Sequence, residues 1–147
     1  MGTIPIPMYR LVVERARNHC EYCRLPQEGQ EARFHIDHVV PRAEGGPTSL
    51  ENLALACVSC SLRKGARLTG TDPQTGTDVA LFNPRFECWE EHFVWQGLQV
   101  VGLTPAGRAT VEALRMNRSV VLGIREEQRL RGRHPPHPHI GDGSAET

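Results

Sequence analysis

The chain has 147 residues, 39% of them hydrophobic and 5% aromatic, and a formal net charge of zero. That length fits one domain, or a small domain with an elaboration, around a modest core. Balanced charge argues against a protein that coats nucleic acid by bulk attraction, and no apolar run approaches the roughly 20 residues a membrane span needs. The opening MGTIPIPMYR has two prolines and an early arginine where a signal peptide would have an apolar stretch. An intracellular, cytoplasmic protein with no membrane partner is expected. Lys64 is the only lysine among 17 basic residues. Arginine is the side chain best shaped for bidentate phosphate contact, though high-GC coding gives the same bias.

In chain order, Tyr9 to His19 (YRLVVERARNH) reads as a helix that runs into a first C-x-x-C, Cys20 and Cys23. Arg33 to Pro41 (RFHIDHVVP) alternates in part, is β-branched and is stopped by proline, so it reads as a strand. RAEGGPTSLEN is a loop rich in turn residues. LALACVSCSLRKGARL begins apolar and continues with helix formers: a short strand or turn, then a helix begun near Cys57 and Cys60. Thr69 to Asp78 reads as a linker or exposed loop. VALFNP and HFVWQGLQVVGL read as short strands, the latter pair turning near Gln96 and Gly97. TPAGRATVEALRMN has a helix-start signature, Thr104 as N-cap and Pro105 at the first helical position. A second helix is expected over roughly Ser119 to Arg131. The prolines of HPPHPHIGDGSAET favour a solvated, disordered tail over a metal site built from its three histidines. The expected organisation is α+β: a core over 1–68, a linker or loop over 69–78, an accessory extension of short strands and one or two helices over 79–133, and a tail over 134–147.

Four of the five cysteines form two C-x-x-C pairs separated by 33 residues. One such pair suits a redox motif; two in a small reducing-compartment chain look like a tetrahedral four-cysteine zinc site, each pair giving two thiolates from one tight turn. Buried free cysteines are the plainer alternative, and lone Cys88 reads as one. Between the pairs lie Asp37 and His38 at a strand end and Asn52 beyond the loop, and Ser61 and Lys64 follow the second pair. An adjacent histidine and carboxylate is common on surfaces. Here the pair stands at a strand end between the halves of a rigidifying metal site, opposite the start of a helix. His35 falls on the same strand side as Asp37, which suggests an approach to metal or substrate, with a structural or supporting role preferred. His92 and Trp95 read as packing residues. Seven arginines between Arg108 and Arg133 face three glutamates, which suits either a nucleic-acid-contacting helix or a solvated one with internal ion pairs.

The stretch CEYC…FHIDHVVPRAEGGPTSLENLALACVSCSLRKG resembles the HNH endonucleases, with C-x-x-C, D-H-V-V-P, G-G, N-L, C-x-x-C and K-G in order. The region from DPQTGTDVALFNPR to GRATVEALRMNR is similar to the accessory extension of a group of bacterial HNH proteins. The resemblance implies a ββα-metal core with a zinc knuckle, and DNA, double-stranded by preference, as partner. It implies His38 as general base, Asp37 as ligand of a catalytic Mg2+ or Mn2+, and Asn52 as the residue that holds the loop and orients His38. Cys20, Cys23, Cys57 and Cys60 would bind structural Zn2+, and Lys64, with Arg63 or Arg42, would contact DNA phosphates. One position departs from the pattern. The residue after the second C-x-x-C is usually Asn or His, the second protein ligand of the catalytic metal, and here it is Ser61. A hydroxyl is a shorter, weaker ligand, so the alternative is a zinc-stabilised nucleic-acid-binding domain whose catalysis is weakened or lost.

Overall fold

A computed structural model describes residues 4–141. Helix α1 (Ile6–Arg15) starts three residues before its expected beginning, because Pro5 at the N-cap and Pro7 in the first turn preset the helical φ. It ends where Arg17 and Asn18 turn left-handed, with φ of 51° and 57°. The chain then reverses through the first C-x-x-C, which an isolated bridge between His19 and Pro26 closes.

Strands β1 (His35–His38) and β2 (Leu53–Ala56) pair antiparallel, with His35 opposite Ala56 and Asp37 opposite Ala54. β1 is shorter than the apolar pattern suggests. The backbone N–H of Phe34 goes to the side-chain oxygen of Gln27, and that of Val39 to the Asn52 carbonyl. All four residues of β2 are buried, and α1 packs on β2 while α2 (Val58–Lys64) packs on both strands. The order β1, β2, α2 is the expected ββα core.

The segment read as a linker or exposed loop holds an unexpected strand, β3 (Thr69–Thr71), and the turn of a hairpin whose second strand, β4 (Asp78–Ala80), overlaps the VALFNP stretch read as a short strand. Asp72 builds its turn: Oδ1 accepts from the Gln74 N–H and Oδ2 from the Thr75 hydroxyl. Arg108 then grips both carboxylate oxygens at 2.9 Å, pulling the Asp72 pKa down to about 2. Beyond it come α3 (Trp89–His92), β5 (Phe93–Gln96), β6 (Gln99–Gly102), α4 (Pro105–Leu114) and α5 (Ser119–Leu130). Thr104 caps α4 as expected, its hydroxyl accepting from the Gly107 N–H at 3.0 Å. Gly107 is required by close approach, since a Cβ there would lie 2.1 Å from the His92 carbonyl oxygen. His92 and Trp95 pack: His92 bonds the Thr104 hydroxyl at 2.6 Å, and Trp95 stacks against Trp89.

One cluster of buried apolar residues runs from Val12 and Phe34 through Phe82, Trp89 and Phe93 to Leu114 and Val121. The segments on either side of residue 68 therefore share a core. Among the described residues no helix is long and apolar enough to cross a membrane.

The expectation of a disordered tail is corrected over 134–141; residues 142–147 lie outside the described ones. Ile140 is 4% exposed. The Ile140 carbonyl accepts from the Arg24 guanidinium at 3.1 Å, the Gly141 carbonyl from that of Arg85 at 2.7 Å, and the Gly141 N–H donates to the Arg15 backbone carbonyl at 3.0 Å. His134 stands edge-on to Trp95, centroids 4.6 Å apart. Buried guanidinium groups need acceptors, and the tail's backbone supplies them. Ile140→Ala is therefore expected to lower unfolding free energy by about 2 kcal/mol or more, read by urea denaturation. A solvated tail would leave the midpoint unchanged.

Candidate metal centre and active site

The Sγ atoms of Cys20, Cys23, Cys57 and Cys60 all lie within 4.8 Å of one another, and all four residues are buried. Cys23 and Cys57, from the two knuckles, are 3.7 Å apart at sulfur. That is too far for a disulfide and matches the edge, about 3.8 Å, of a tetrahedron with ~2.3 Å zinc–sulfur bonds. The turns repeat each other: the Cys23 N–H donates to the Cys20 sulfur and the Cys60 N–H to the Cys57 sulfur, both at 3.4 Å. Hydrogen bonds with the other three cysteines, and then burial, hold the Cys60 thiol up, while hydrogen bonds within the same cluster draw Cys23 down. Four adjacent thiolates need a cation to coexist. The donor set and spacing fit a structural metal such as zinc.

Arg125 of α5 reaches this centre from the extension. It is 2% exposed, and Nη2 donates to the Cys23 carbonyl at 3.1 Å while Nη1 donates to Leu98 and Asn117. Its guanidinium lies 5.1 Å over Trp95. A tetrathiolate zinc centre carries excess negative charge, which this buried cation offsets.

On β1, Asp37 is 8% exposed, and its Oδ2 accepts from the Tyr22 hydroxyl at 2.8 Å and pairs with Lys64 Nζ at 3.2 Å. Burial pushes the Asp37 pKa up, while Lys64 and Tyr22 pull it back. The other oxygen, Oδ1, has no hydrogen-bond partner among the described residues. Ser61, on α2, is hydrogen-bonded to His35 Nδ1 at 2.9 Å, which puts its hydroxyl beside the strand that carries Asp37. His38 is half-buried, with Nε2 on the Thr48 hydroxyl at 2.8 Å. Its pKa is lowered, first by burial and then by Arg42, against the pull of Asp37.

Asn52 is 6% exposed and pins the loop between the strands: Oδ1 accepts from the Val40 N–H, and Nδ2 donates to the Val40 and Pro47 carbonyls, all at 2.9–3.0 Å. Asn52 holds the loop, and the side-chain contact to the His38 ring comes from Thr48. The G-G pair closes the loop's turn, with Gly45 at φ 85° and Gly46 so near Val40 that a Cβ would sit 1.8 Å from its carbonyl oxygen.

Arg42 and Arg63 are exposed, as phosphate contacts must be. Lys64 is not, and the expectation for it is corrected. At 2% exposed, its ammonium has three protein acceptors, Asp37 and the His38 and Val39 carbonyls. Sequence reading missed Tyr22, Thr48 and Arg125. Tyr22 hides inside the C-x-x-C, Thr48 in a turn-rich loop, and nothing local marks Arg125 as buried.

Purified protein is expected to carry one zinc per chain, and Arg125→Leu to weaken zinc affinity by roughly 10- to 100-fold, the size seen for residues that support metal ligands, measured by chelator competition. Asn52→Asp keeps the shape but sets a carboxylate oxygen against the half-buried Val40 carbonyl and the Pro47 carbonyl in place of their donor. Its expected cost is at least about 2 kcal/mol, read by denaturant unfolding; a change within 0.5 kcal/mol would mean the loop does not depend on it.

Residues 20–67, about a third of the chain, match the family model described as HNH endonuclease. No curated protein and no solved structure matches the chain. Both knuckles, β1, β2 and α2 lie inside the span that matches the HNH endonuclease model, and the four cysteines within it are placed to hold a metal ion.

Proposed function

We propose that this domain hydrolyses phosphodiester bonds of double-stranded DNA, with His38 as general base and a divalent cation, Mg2+ or Mn2+, held by Asp37 and Ser61. The HNH match supports a nuclease or nucleic-acid-binding function. The observation that carries the finer reading is the meeting of β1 and α2, where the Ser61 hydroxyl lies against the strand that bears His35, Asp37 and His38. Burial and Arg42 keep the His38 imidazole neutral near neutral pH, the form that takes a proton from attacking water. Thr48 engages Nε2, so the proton goes to Nδ1. Tyr22 and Lys64 fix the Asp37 carboxylate through Oδ2, leaving Oδ1 as donor. A bound cation would neutralise charge on the phosphorane-like transition state and the leaving 3′-oxygen. Arg42 and Arg63, both exposed, would contact substrate phosphates.

A second reading, a zinc-stabilised nucleic-acid-binding domain without catalysis, is favoured by two observations. The Ser61 hydroxyl is already engaged by His35, and a built-in ammonium sits 3.2 Å from the carboxylate that a divalent ion must share. Supercoiled plasmid with Mg2+ or Mn2+ separates the two. The parent is expected to nick or cut, with His38→Ala at least 100-fold slower, the scale of general base catalysis. A silent parent with activity restored by Ser61→Asn would establish the second reading; His38→Ala cutting at the parent's rate would overturn the mechanism. Lys64→Ala is expected to destabilise the fold rather than weaken DNA binding at fixed stability, in keeping with its buried position.

A further inference from the structure

Of the seven arginines between 108 and 133, five are committed to intramolecular partners. Arg108 holds Asp72; Arg129, Arg131 and Arg133 pair with Glu126, Glu127 and Glu28; and Arg125 lies buried against the Cys23 carbonyl. Arg118 is different. Its Nη1 donates to the Ser59 hydroxyl oxygen at 3.1 Å, and Nε of Arg63 donates to the same oxygen at 3.2 Å. One guanidinium comes from α2 of the HNH domain and the other from the extension. Among the described residues no carboxylate pairs with either.

Two like charges that converge on one neutral hydroxyl repel each other, and an anion between them turns the repulsion into attraction. They also stand at the mouth of a groove of about 430 Å³, lined on its apolar side by Leu25, Phe34, Val58 and Leu62. Leu62 is 70% exposed. A basic rim over an apolar floor has the amphipathic character of a nucleotide: phosphate outside, sugar or base beneath. The groove wall includes Cys57, a residue of the metal-binding knuckle, so it is anchored to a rigid part of the fold.

We propose that Arg63 and Arg118 form a clamp for one phosphate of the nucleic-acid backbone, and that the extension serves to bring Arg118 to it. The clamp rests on the nucleic-acid reading above and adds to it a contact outside the cleavage site. Ser59 and Ser61 are two residues apart on α2, about 200° around the helix at ~100° per residue. The clamp therefore lies away from Ser61 and Asp37, and contributes to holding substrate rather than to the chemical step.

Fluorescence anisotropy of a labelled DNA duplex, measured without Mg2+ over a salt series, tests this. The double variant Arg63→Gln/Arg118→Gln is expected to lower the slope of log K against log salt by about 0.9, the signature of one surrendered phosphate contact. Each single variant is expected to lose most of that, because both arginines hold the same phosphate. Arg63→Glu, a charge reversal at an exposed position, is expected to weaken binding further. Arg129→Gln and Arg131→Gln, on the far part of α5, are expected to leave the slope unchanged. Matched zinc content and thermal unfolding of each variant exclude misfolding. If the double variant and Arg63→Glu both bind with the parent's affinity and slope, the clamp is wrong while the nucleic-acid function stands. If the parent itself binds no duplex at any salt, that function and the clamp fall together.

Discussion

Four sulfurs that must share one cation are the constraint on which the rest of the fold depends. Helix α2 has seven residues, far below the length at which a helix persists alone in water. Its N-cap is Cys57, whose sulfur accepts the Cys60 N–H. Metal binding at the knuckles thus fixes where α2 begins, and with it the position of Ser61 on one side and of Ser59 and Arg63 on the other. The first knuckle, Cys20 to Cys23, orients Tyr22 toward Asp37. The two knuckles together set the geometry of both candidate substrate contacts.

The second organising feature is buried arginine. Arg15, Arg24, Arg85 and Arg125 bring guanidinium groups into the interior, and desolvation lowers the pKa of Arg15, Arg24 and Arg125. Each takes backbone carbonyls as acceptors: Leu53 for Arg15, Glu21 and Ile140 for Arg24, Gly141 for Arg85, Leu98 and Cys23 for Arg125. Glu21 is the buried carboxylate among them, paired with Arg85 and accepting from the Leu55 N–H; desolvation lifts its pKa to about 7 against those partners. This network runs between the HNH domain, the extension and the tail. Much of the arginine content that reads as phosphate-binding in the sequence is therefore glue between segments, and the fork of donors is what lets one side chain join two of them.

What could be read from the sequence was what depends on spacing. The cysteine pairs, the D-H at the end of β1, the loop-pinning Asn52 and the Thr104 cap each have a local signature, and each stands where that signature puts it. What could not be read depends on partners distant in sequence. Strand β3 is three residues of glycine and threonine, below any periodic signal, and its hairpin is held by Arg108 more than thirty residues on. Over 134–141 the tail's one large apolar residue is Ile140, and its contacts are to the guanidinium groups of Arg24 and Arg85 and the backbone carbonyl of Arg15. Lys64 near a helix end before glycine reads as a free cation; only the fold reveals that two carbonyls and a carboxylate surround it.

That burial changes how the Asp37 site works. A lone buried carboxylate is costly, and in a site that waits for a divalent ion the cost would fall on the metal-free protein. Here Lys64 and the Tyr22 hydroxyl offset it in advance and lock the carboxylate through Oδ2. The consequence is twofold. The donor is already oriented when a cation arrives, which spares reorganisation; yet the cation meets an ammonium 3.2 Å from one oxygen of its ligand, which lowers its affinity. A serine at 61 deepens that second effect, because a neutral hydroxyl adds little to hold a hard ion that prefers carboxylates and water. On the proposed reading, preorganisation and weak metal binding would come from the same contacts, and the balance between them would decide whether the domain cuts or only binds.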